Sequence, residues 1–410
     1  MRTFTMKPED INVHNRSILL ELIRRGGPIS RAEIARKTNL SAPSITRIVK
    51  DLMAEGLIKE TGIGDSSGGR KPYLLEFNTN AKYIVGVELG ETYSVSVLTD
   101  LEINYLSREK IAMKMTTEVN KVIDLLVESI GGRIKQSKVD EEDILGIGIG
   151  VPGTLDTQAG IIKFSPNFGW KNVPIVEIIE KELGISTFID TGVRAMTLCE
   201  KWFGAGQGIK NFACIIVGTG IGAGLIIDGN LYRGFEETAG EIGHTTILPQ
   251  GPKCKCGNRG CLETLAAGPS LVRRALNRIS EYPNSSLANV VNKNKGDITA
   301  DMVTEEAKRG DSLACEIVQE AGHYLGIGVA NLINIFAPEA VIIGGWVAEQ
   351  AGELFLEAAR ETIKNRVFML SPERIRILPA SLKDNDVAIG AATLALQQLS
   401  IPLTKATVRI

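Results

Sequence analysis

Four side chains that bind soft or borderline metal ions stand close together in the chain: His244 and, after nine intervening residues, Cys254, Cys256 and Cys261. Three thiolates and one imidazole suit tetrahedral Zn²⁺, which takes Cys sulfur and His nitrogen and imposes no electronic geometry of its own. Gly257 and Gly260 let the backbone double back so that Cys256 and Cys261 reach the same ion. Four protein ligands leave no open position, so the set reads as a structural zinc and not a catalytic one. The competing readings are ordinary buried thiols or a Cys254–Cys256 disulfide. Neither accounts for cysteines clustered among glycines here while Cys199, Cys214 and Cys315 are scattered.

Carboxylates bracket the cluster. Glu241 lies three residues before the histidine and Glu263 two after the last cysteine, so a metal at the centre fixes both acids in one place. Paired acceptors beside an imidazole suit a polyhydroxylated ligand, which offers many O–H donors. The stretch Glu241-Ile-Gly-His244, followed by Cys254-Lys-Cys-Gly-Asn-Arg-Gly-Cys-Leu-Glu263, resembles the signature of the ROK family, which unites bacterial sugar kinases and sugar-responsive repressors. The resemblance implies that Glu241, His244 and Glu263 contact a sugar.

These residues need a scaffold, and the rest of the body reads as one. Tyr83 to Gly90 is a strand running into a glycine turn, followed by Thr92 and an alternating strand over 93–98. Leu145 to Gly153 is a buried strand ending in a tight turn. Helical patterns over 118–138, 314–336, 349–364 and 386–398 alternate with strands, as an α/β body requires. The resemblance implies the two-subdomain body of the hexokinase/actin-like (ribonuclease-H-like) ATPase superfold, with the last helix returning to pack on the first subdomain. Sugar kinases of that superfold place Asp-x-Gly-x-Thr at the first hairpin to hold nucleotide phosphate and Mg²⁺. Here the positions are Glu88, Gly90 and Thr92. The second phosphate loop matches Gly218, Thr219 and Gly220, and Gly344-Gly345 sits where the superfold contacts adenosine. Asn167, in Ser165-Pro-Asn-Phe-Gly-Trp170, matches a residue that hydrogen-bonds the sugar; taken alone it reads equally as a turn-forming Asn after Pro.

The stretch that separates the family's two activities is Phe188-Ile-Asp-Thr-Gly-Val-Arg-Ala195. ROK kinases read similarly to Glu-Asn-Asp-Ala-Asn-Ala here, and their Asp is the general base for the sugar hydroxyl. Aligned on the following Ala and on Glu200, that Asp falls on Gly192, and the two Asn on Thr191 and Arg194. Phosphoryl transfer rests on positioning and electrostatics, yet some residue must accept the proton of the attacking hydroxyl. Glycine has no group to do so, and Asp190 lies two positions away. The resemblance therefore implies a lost catalytic apparatus with no catalytic residue, and Zn²⁺ but not ATP or Mg²⁺ as the cofactor.

The first eighty residues have a different character. Ile18, Leu19, Leu22 and Ile23 form an apolar stripe on a helix over 15–25, ended by Gly26-Gly27-Pro28. Ser30 with Glu33 makes a capping box for a second helix, Thr38-Asn39-Leu40 is a tight turn, and Ser41 caps a third helix to about Glu55. Two helices joined by so short a turn are a helix-turn-helix, whose second helix enters the major groove. Ser44, Thr46, Arg47 and Lys50 on the exposed face of that helix are types that contact base edges and phosphates. Two strands, 57–61 and 73–77, around a tip carrying Arg70 and Lys71 form a wing. The competing reading is a three-helix packing or dimerisation module with a solvated charged face. The segment resembles the winged head of ROK regulators, including Asn12-Val-His-Asn-Arg16 and Gly68-Gly-Arg-Lys-Pro72, and ROK kinases lack it.

The bulk numbers agree with this division. Residues 1–80 hold 13 Lys+Arg against 9 Asp+Glu, a net +4, and the remainder 33 against 39, a net −6. A basic head on an acidic body points to a polyanion partner for the head alone. The longest apolar run, 212–227, is Gly-rich and too short for a membrane span, and the N-terminal residues lack the apolar core of a secretory signal. Thiols spaced for metal indicate a reducing cytoplasm.

The expected organisation is a winged helix-turn-helix over 1–80, a first α/β subdomain over 81–198 completed by 384–410, and a second over 199–383 carrying the metal motif. The expected function is a sugar-responsive regulator, a repressor of carbohydrate-utilisation genes. It would act as a homodimer or homotetramer on operator DNA, with a sugar or sugar phosphate as effector and no membrane contact. Two alternatives stand beside it: an ATP-dependent hexose or N-acetylhexosamine kinase carrying a DNA-binding head, and a module that answers to a partner protein in place of a free sugar.

Overall fold

Residues 8–63, 71–90, 93–113, 118–166, 168–368, 374–381 and 387–399 are described by a computed structural model of the chain. Contacts gather them into two units, residues 1–190 with 388–410, and residues 191–387.

The first unit opens with α1 (Pro8–Gly26), β1 (Ile29–Ser30), α2 (Arg31–Thr38), α3 (Ala42–Ala54), β2 (Ile58–Ile63) and β3 (Tyr73–Phe77). Helix α1 starts seven residues before the apolar stripe predicts, at Pro8. Proline is preorganised for a first helical turn. The capping box forms as expected: Ser30 Oγ accepts the Glu33 N–H at 3.2 Å and Glu33 Oε2 accepts the Ser30 N–H at 3.1 Å. Asn39 takes the left-handed conformation, φ 55°, that ends α2, and Ser41 caps α3. Leu19, Leu20, Ile23, Ile34, Ile45, Ile48, Val49 and Leu52 make the buried seam of the three helices. The wing sheet has the order β1-β3-β2. Strand β1 escapes the sequence reading because two residues carry no periodicity.

The same unit continues with β4 (Tyr83–Leu89), β5 (Tyr93–Thr99), β6 (Tyr105–Ala112), α4 (Val119–Ser137), β7 (Ile144–Val151), β8 (Thr154–Asp156), β9 (Ile161–Ser165), β10 (Trp170–Val173), α5 (Ile175–Leu183) and β11 (Thr187–Thr191). The main sheet has the order β11-β7-β4-β5-β6, and β8, β9 and β10 form a small antiparallel sheet of their own. The C-terminal helix Val387–Gln398 packs on the main sheet through two paired glycines. Gly86 and Gly148 are opposite one another on β4 and β7. A Cβ on Gly86 would lie 1.9 Å from the Ala388 carbonyl oxygen, and one on Gly148 1.7 Å from that of Ala391. Two bare Cα atoms side by side let helix backbone lie directly on sheet backbone. The last helix thus lies on the first body sheet.

The second unit runs α6 (Gly192–Phe203), β12 (Phe212–Val217), β13 (Ile221–Ile227), β14 (Asn230–Tyr232), α7 (Leu262–Ala266), α8 (Gly268–Arg278), α9 (Ser286–Lys293), α10 (Ala300–Lys308), α11 (Ser312–Phe336), β15 (Ala340–Gly344), α12 (Trp346–Arg366) and β16 (Arg376–Pro379), before the helix Val387–Gln398, α13. Its sheet has the order β14-β13-β12-β15-β16, with β12, β15 and β16 parallel. Buried apolar residues of β12, β15, α11 and α12, among them Ile215, Ile343, Leu325 and Phe355, form its core. Helix α12 begins three residues before the expected 349 and is broken at Gly352, φ 63° and ψ −148°. Among the described residues no helix is long and apolar enough to cross a membrane.

Candidate functional site

In the second unit a single 3-10 turn, Ile242–His244, carries the histidine. The turn lies directly on β13: a Cβ at Gly243 would sit 2.0 Å from the Ile221 carbonyl oxygen. Downstream the chain knots itself into a knuckle. Cys254 N–H donates to Asn258 O at 2.8 Å, Gly257 N–H to Cys254 O at 3.0 Å, and Gly260 N–H to Pro252 O at 2.8 Å. Gly257 (φ 99°) and Gly260 (φ 62°) take positive φ, and a Cβ at Gly260 would also lie 1.6 Å from Leu248 O. Only glycine meets both demands at position 260.

The knuckle brings His244, Cys254, Cys256 and Cys261 together, with their ligand atoms all within 4.8 Å of one another. Cys254 Sγ is 3.6 Å from His244 Nδ1, and Cys256 Sγ is 3.7 Å from Cys261 Sγ. A tetrahedral zinc with thiolate bonds of about 2.3 Å has ligand–ligand edges of about 3.7 Å, so the donor set fits a metal ion of that size. All six cysteines are free thiols. The thiols of the cluster differ in acidity. The Asn258 backbone N–H, foremost, holds the Cys256 thiol below its usual range, whereas burial, then the neighbouring thiols, pushes Cys261 up to about 12. Thiols packed this closely ionise together only around a cation.

Glu263 is the second residue of α7, so the knuckle aims it. Its Oε2 accepts the Ile221 N–H at 3.3 Å, and a Cβ at Gly220 would come within 2.5 Å of that oxygen. The carboxylate therefore lies across the Gly218-Thr219-Gly220 hairpin, which is closed by a Gly218 N–H to Gly220 O bond of 2.9 Å. Glu241 is exposed, and its backbone carbonyl accepts the His244 N–H at 3.1 Å. The cluster, Glu263 and the hairpin thus form one assembly, with Glu241 immediately ahead of the 3-10 turn that carries His244. Gly344 and Gly345 close β15 beside it. Gly345 has φ 96° and approaches Val217 so nearly that a Cβ would lie 2.3 Å from its oxygen. Asn167 lies outside the described residues.

Position 192 opens α6, capped by Thr191 Oγ1, which accepts the Arg194 N–H at 3.4 Å. A Cβ at Gly192 would stand 3.0 Å from Val387 Cγ1, tighter than ordinary contact. Asp190 is fully buried on β11. Arg194, at 3 % exposure, donates through Nε to Thr191 Oγ1 at 3.2 Å and through Nη1 to Glu237 O at 2.9 Å. Arg233 adds an ion pair of 3.3 Å to the Glu237 carboxylate. Sequence reasoning missed this anchoring of the loop ahead of Glu241. The partners are 43 residues apart, and no local pattern joins them.

At the first hairpin, in the other unit, Glu88 is half-buried and its Oε1 accepts the Tyr93 hydroxyl at 3.1 Å. Gly90 N–H donates to Tyr93 O at 3.0 Å. Thr92 lies outside the described residues. The Tyr93 hydroxyl was a missed partner, although the aromatic residue stands in plain view five positions from the acid.

On α3 the Thr46, Arg47 and Lys50 side chains are exposed, and Ser44 is half-buried with its Oγ 2.9 Å from Ser41 Oγ. Thr46 Oγ1 donates to Ala42 O at 2.9 Å, and Arg47 Nη2 to Asn12 Oδ1 at 3.2 Å. Two hydroxyls are thus spent on the helix, and two cations face solvent. Lys71 is exposed at the foot of the wing. Arg70 lies outside the described residues.

A helix-turn-helix with a wing, joined to an α/β body with a His/Cys cluster on a glycine hairpin, defines a DNA-binding regulator built on a sugar-kinase body. Comparison with known proteins bears this out: residues 84–398 match the ROK family and residues 12–59 the winged helix-turn-helix DNA-binding family. The chain belongs to the ROK family. It is 36% identical over 392 residues to the xylose repressor of Caldicellulosiruptor bescii, covering 95% of this chain and 97% of that protein. It is 31% identical over 380 residues to the Escherichia coli DNA-binding transcriptional dual regulator NagC, covering 93% and 91%. Among solved structures, a ROK family transcriptional regulator homologous to E. coli MLC matches with TM-score 0.82 and 30% identity over 96% of this chain and 98% of that one. A ROK glucokinase from Streptomyces griseus, in complex with glucose and AMPPNP, matches with TM-score 0.69 and 31% identity over 77% of this chain and 99% of that one.

Proposed function

We propose that the protein represses carbohydrate-utilisation genes and leaves its operator when a sugar or sugar phosphate binds the body. The observation that carries this is the union on one chain of a winged helix-turn-helix at 12–59 and a ROK body at 84–398, shared nearly end to end with the xylose repressor and NagC. Xylose and N-acetylglucosamine are accordingly the first effectors to try.

Asn167, Glu241, His244 and Glu263 are the residues assigned to the effector. Carboxylates accept from sugar O–H groups, and charge-assisted bonds of this kind are worth more than neutral ones. His244, Cys254, Cys256 and Cys261 would hold a structural Zn²⁺, whose contribution when bound is to lock the knuckle. The chain's own residues do the rest: Nδ1 of His244 turned to the cluster fixes the imidazole, and Cys261 at the head of α7 fixes Glu263. Arg47 and Lys50, with Ser44, Thr46, Arg70 and Lys71, are assigned to DNA, and the protein acts in the cytoplasm as a homodimer or homotetramer on a two-fold operator. By linkage, the effector relieves DNA binding only as far as it prefers the non-binding conformation.

A kinase is the second reading, favoured by the likeness to the glucokinase. Against it stands Gly192, where the family's base is expected and where Val387 leaves no room for a side chain without movement. Calorimetric titration of zinc-loaded protein with xylose, N-acetylglucosamine and glucose, with ATP turnover followed in the same samples, separates the two. Saturable sugar binding without turnover, together with release from a duplex that the protein selects from a random pool, is the expected result. Turnover would make it an enzyme, with Asp190 the foremost replacement base.

A further inference from the structure

The head and the first body sheet meet at a turn built with more constraint than a β-hairpin needs. Residues 100–104 join β5 to β6. The Asp100 carboxylate, 5 % exposed, accepts the N–H groups of Glu102 and Asn104 and the Asn104 side-chain amide, each at 2.9 Å. Ile103 is held at φ 62°, a left-handed conformation that a β-branched residue adopts only when its surroundings over-determine it. Leu101 is fully buried and Ile103 is 8 % exposed.

This turn grips the DNA-binding head at two points. The Leu101 N–H donates to Thr79 O at 3.0 Å, in the linker that follows the wing. That linker is tied back to the end of α3 by Asn78, whose N–H donates to Leu57 O at 3.0 Å and whose side-chain amide donates to Gly56 O at 2.9 Å. At the second point Glu102 accepts Arg24 Nη1 at 3.1 Å and 3.3 Å. Arg24 lies in the last turn of α1, its side chain only 8% exposed, and its fork also holds Glu21 at 2.8 Å and 2.9 Å. Burial alone would lower the Arg24 pKa, but Glu21 and Glu102 raise it well above its ordinary value. The turn is at one end of β5. At the other end is the glycine hairpin of Glu88 and Gly90, and between them β5 is paired with β4 from Leu89↔Ser94 to Ile84↔Thr99.

We infer that the β5–β6 turn, Asp100–Asn104, is the joint through which the body sets the posture of the DNA-binding head, with the Arg24–Glu102 pair and the Leu101–Thr79 bond as its two contacts. A strand hydrogen-bonded along its whole length moves as a piece, so a displacement of the β4–β5 pair as one rigid unit reaches α1 and the linker together. Surface ion pairs contribute little, but here the guanidinium is buried, holds the two carboxylates of Glu21 and Glu102 at once, and sits where two modules meet. The inference rests on the sensing function proposed above for its purpose, not for its geometry.

The test uses full-length, zinc-loaded protein with Glu102→Ala and Glu102→Arg, since Glu102 touches none of the residues assigned to metal, sugar or DNA. Three readouts are needed: amide exchange over 78–81 and 100–104 without sugar, affinity for the selected duplex without sugar, and the change in that affinity with xylose, N-acetylglucosamine and glucose. Glu102→Arg, which sets like charges together, is expected to speed linker exchange and to weaken duplex binding about tenfold. It should also shrink any sugar-induced change to under about twofold, leaving zinc content and sugar binding as in the parent. Glu102→Ala should fall between, and it decides the matter if the arginine variant loses zinc or helix content. Parental exchange and parental duplex affinity in both variants would overturn the joint. Should the parent itself show no sugar effect on DNA binding, the sensing function falls, while exchange and sugar-free affinity still decide the joint.

Discussion

Two glycine hairpins, one in each unit, carry a carboxylate, and they are built in opposite ways. At β4–β5 the acid is part of the hairpin itself: Glu88 is on the strand and is met by Tyr93 on the returning strand, 3.1 Å away. At β12–β13 the acid is imported. Glu263 comes from α7, 42 residues further along the chain than the Ile221 amide it meets, and it is aimed by the knuckle that ends at Cys261. The first arrangement needs nothing beyond its own strands. The second is only as good as whatever holds three thiols and an imidazole together. A local closure is hard to switch, whereas an imported group ties the state of a remote cluster to the state of a site.

The sharpest break between the two should come from the metal ligands. Cys256→Ser, or removal of metal with a chelator, is expected to release zinc and to cost the second unit about 4 kcal/mol or more, the range in which loss of a structural metal falls. Sugar binding and the sugar response of DNA binding should go with it, while the β4–β5 pair keeps its amide protection. Metal analysis together with hydrogen exchange resolved along the chain checks this. Full zinc stoichiometry in Cys256→Ser would show that the ligand set is wrong.

Next in size is Glu263→Gln, which keeps the shape and removes the charge. Losing a charge-assisted acceptor should weaken sugar binding about tenfold, near 1.4 kcal/mol, with zinc retained. Calorimetry with metal analysis on the same sample reads both. Unchanged affinity would detach Glu263 from the ligand and leave it a structural brace of the hairpin.

Arg47→Ala moves the comparison to the head. Operator affinity should fall about tenfold and its salt slope should flatten by about one, as expected for a lost phosphate or base contact. Sugar binding should stay put. Affinity and slope both at parental values would remove Arg47 from the interface.

How much of this was visible beforehand follows the same division. The α2–α3 pair of the head was legible nearly residue by residue, because capping boxes, tight turns and an apolar stripe are local signals: Ser30 with Glu33, Ser41, and the buried Ile45, Ile48, Val49 and Leu52 all fall where spacing puts them, whereas the start of α1 and the two-residue β1 did not show. The His/Cys cluster was legible because its four side chains crowd into 18 residues of sequence, 244 to 261. What stayed hidden is non-local. Nothing near Arg194 announces Glu237, and nothing near Arg24 announces Glu102. The role of Gly86 and Gly148 as a seat for α13 emerges only once two strands are paired and a distant helix is laid on them. At Glu88 the sequence shows an acid in a glycine hairpin but not the Tyr93 hydroxyl that comes to it.

A smaller effect belongs to acid. Burial works against the ionised form of Glu21, but Arg24 and Arg25 more than offset it and hold its pKa below the ordinary 4.5. A carboxyl whose pKa is lower folded than unfolded stabilises the fold above the unfolded value, and that contribution fades as pH falls through the folded one. Head stability should therefore decline below about pH 4.5, and Glu21→Gln should flatten that decline. Thermal melts of both proteins between about pH 6 and pH 3 test it; parallel curves would remove Glu21 from the acid response.

The smallest change, and the one that sharpens the contrast most, is Tyr93→Phe. It removes one partly buried hydrogen bond, so stability should drop by about 1 kcal/mol or less, and zinc, sugar and operator binding should all stay at parental values. The informative readout is Mg²⁺-dependent ADP binding by calorimetry, run on parent and variant. Absence in both would mean that the β4–β5 hairpin is closed by its own strands and that the hydroxyl merely satisfies Glu88. Appearance in the variant alone would mean that Tyr93 masks a working carboxylate. The two hairpins would then differ by one oxygen atom, and not by a lost function.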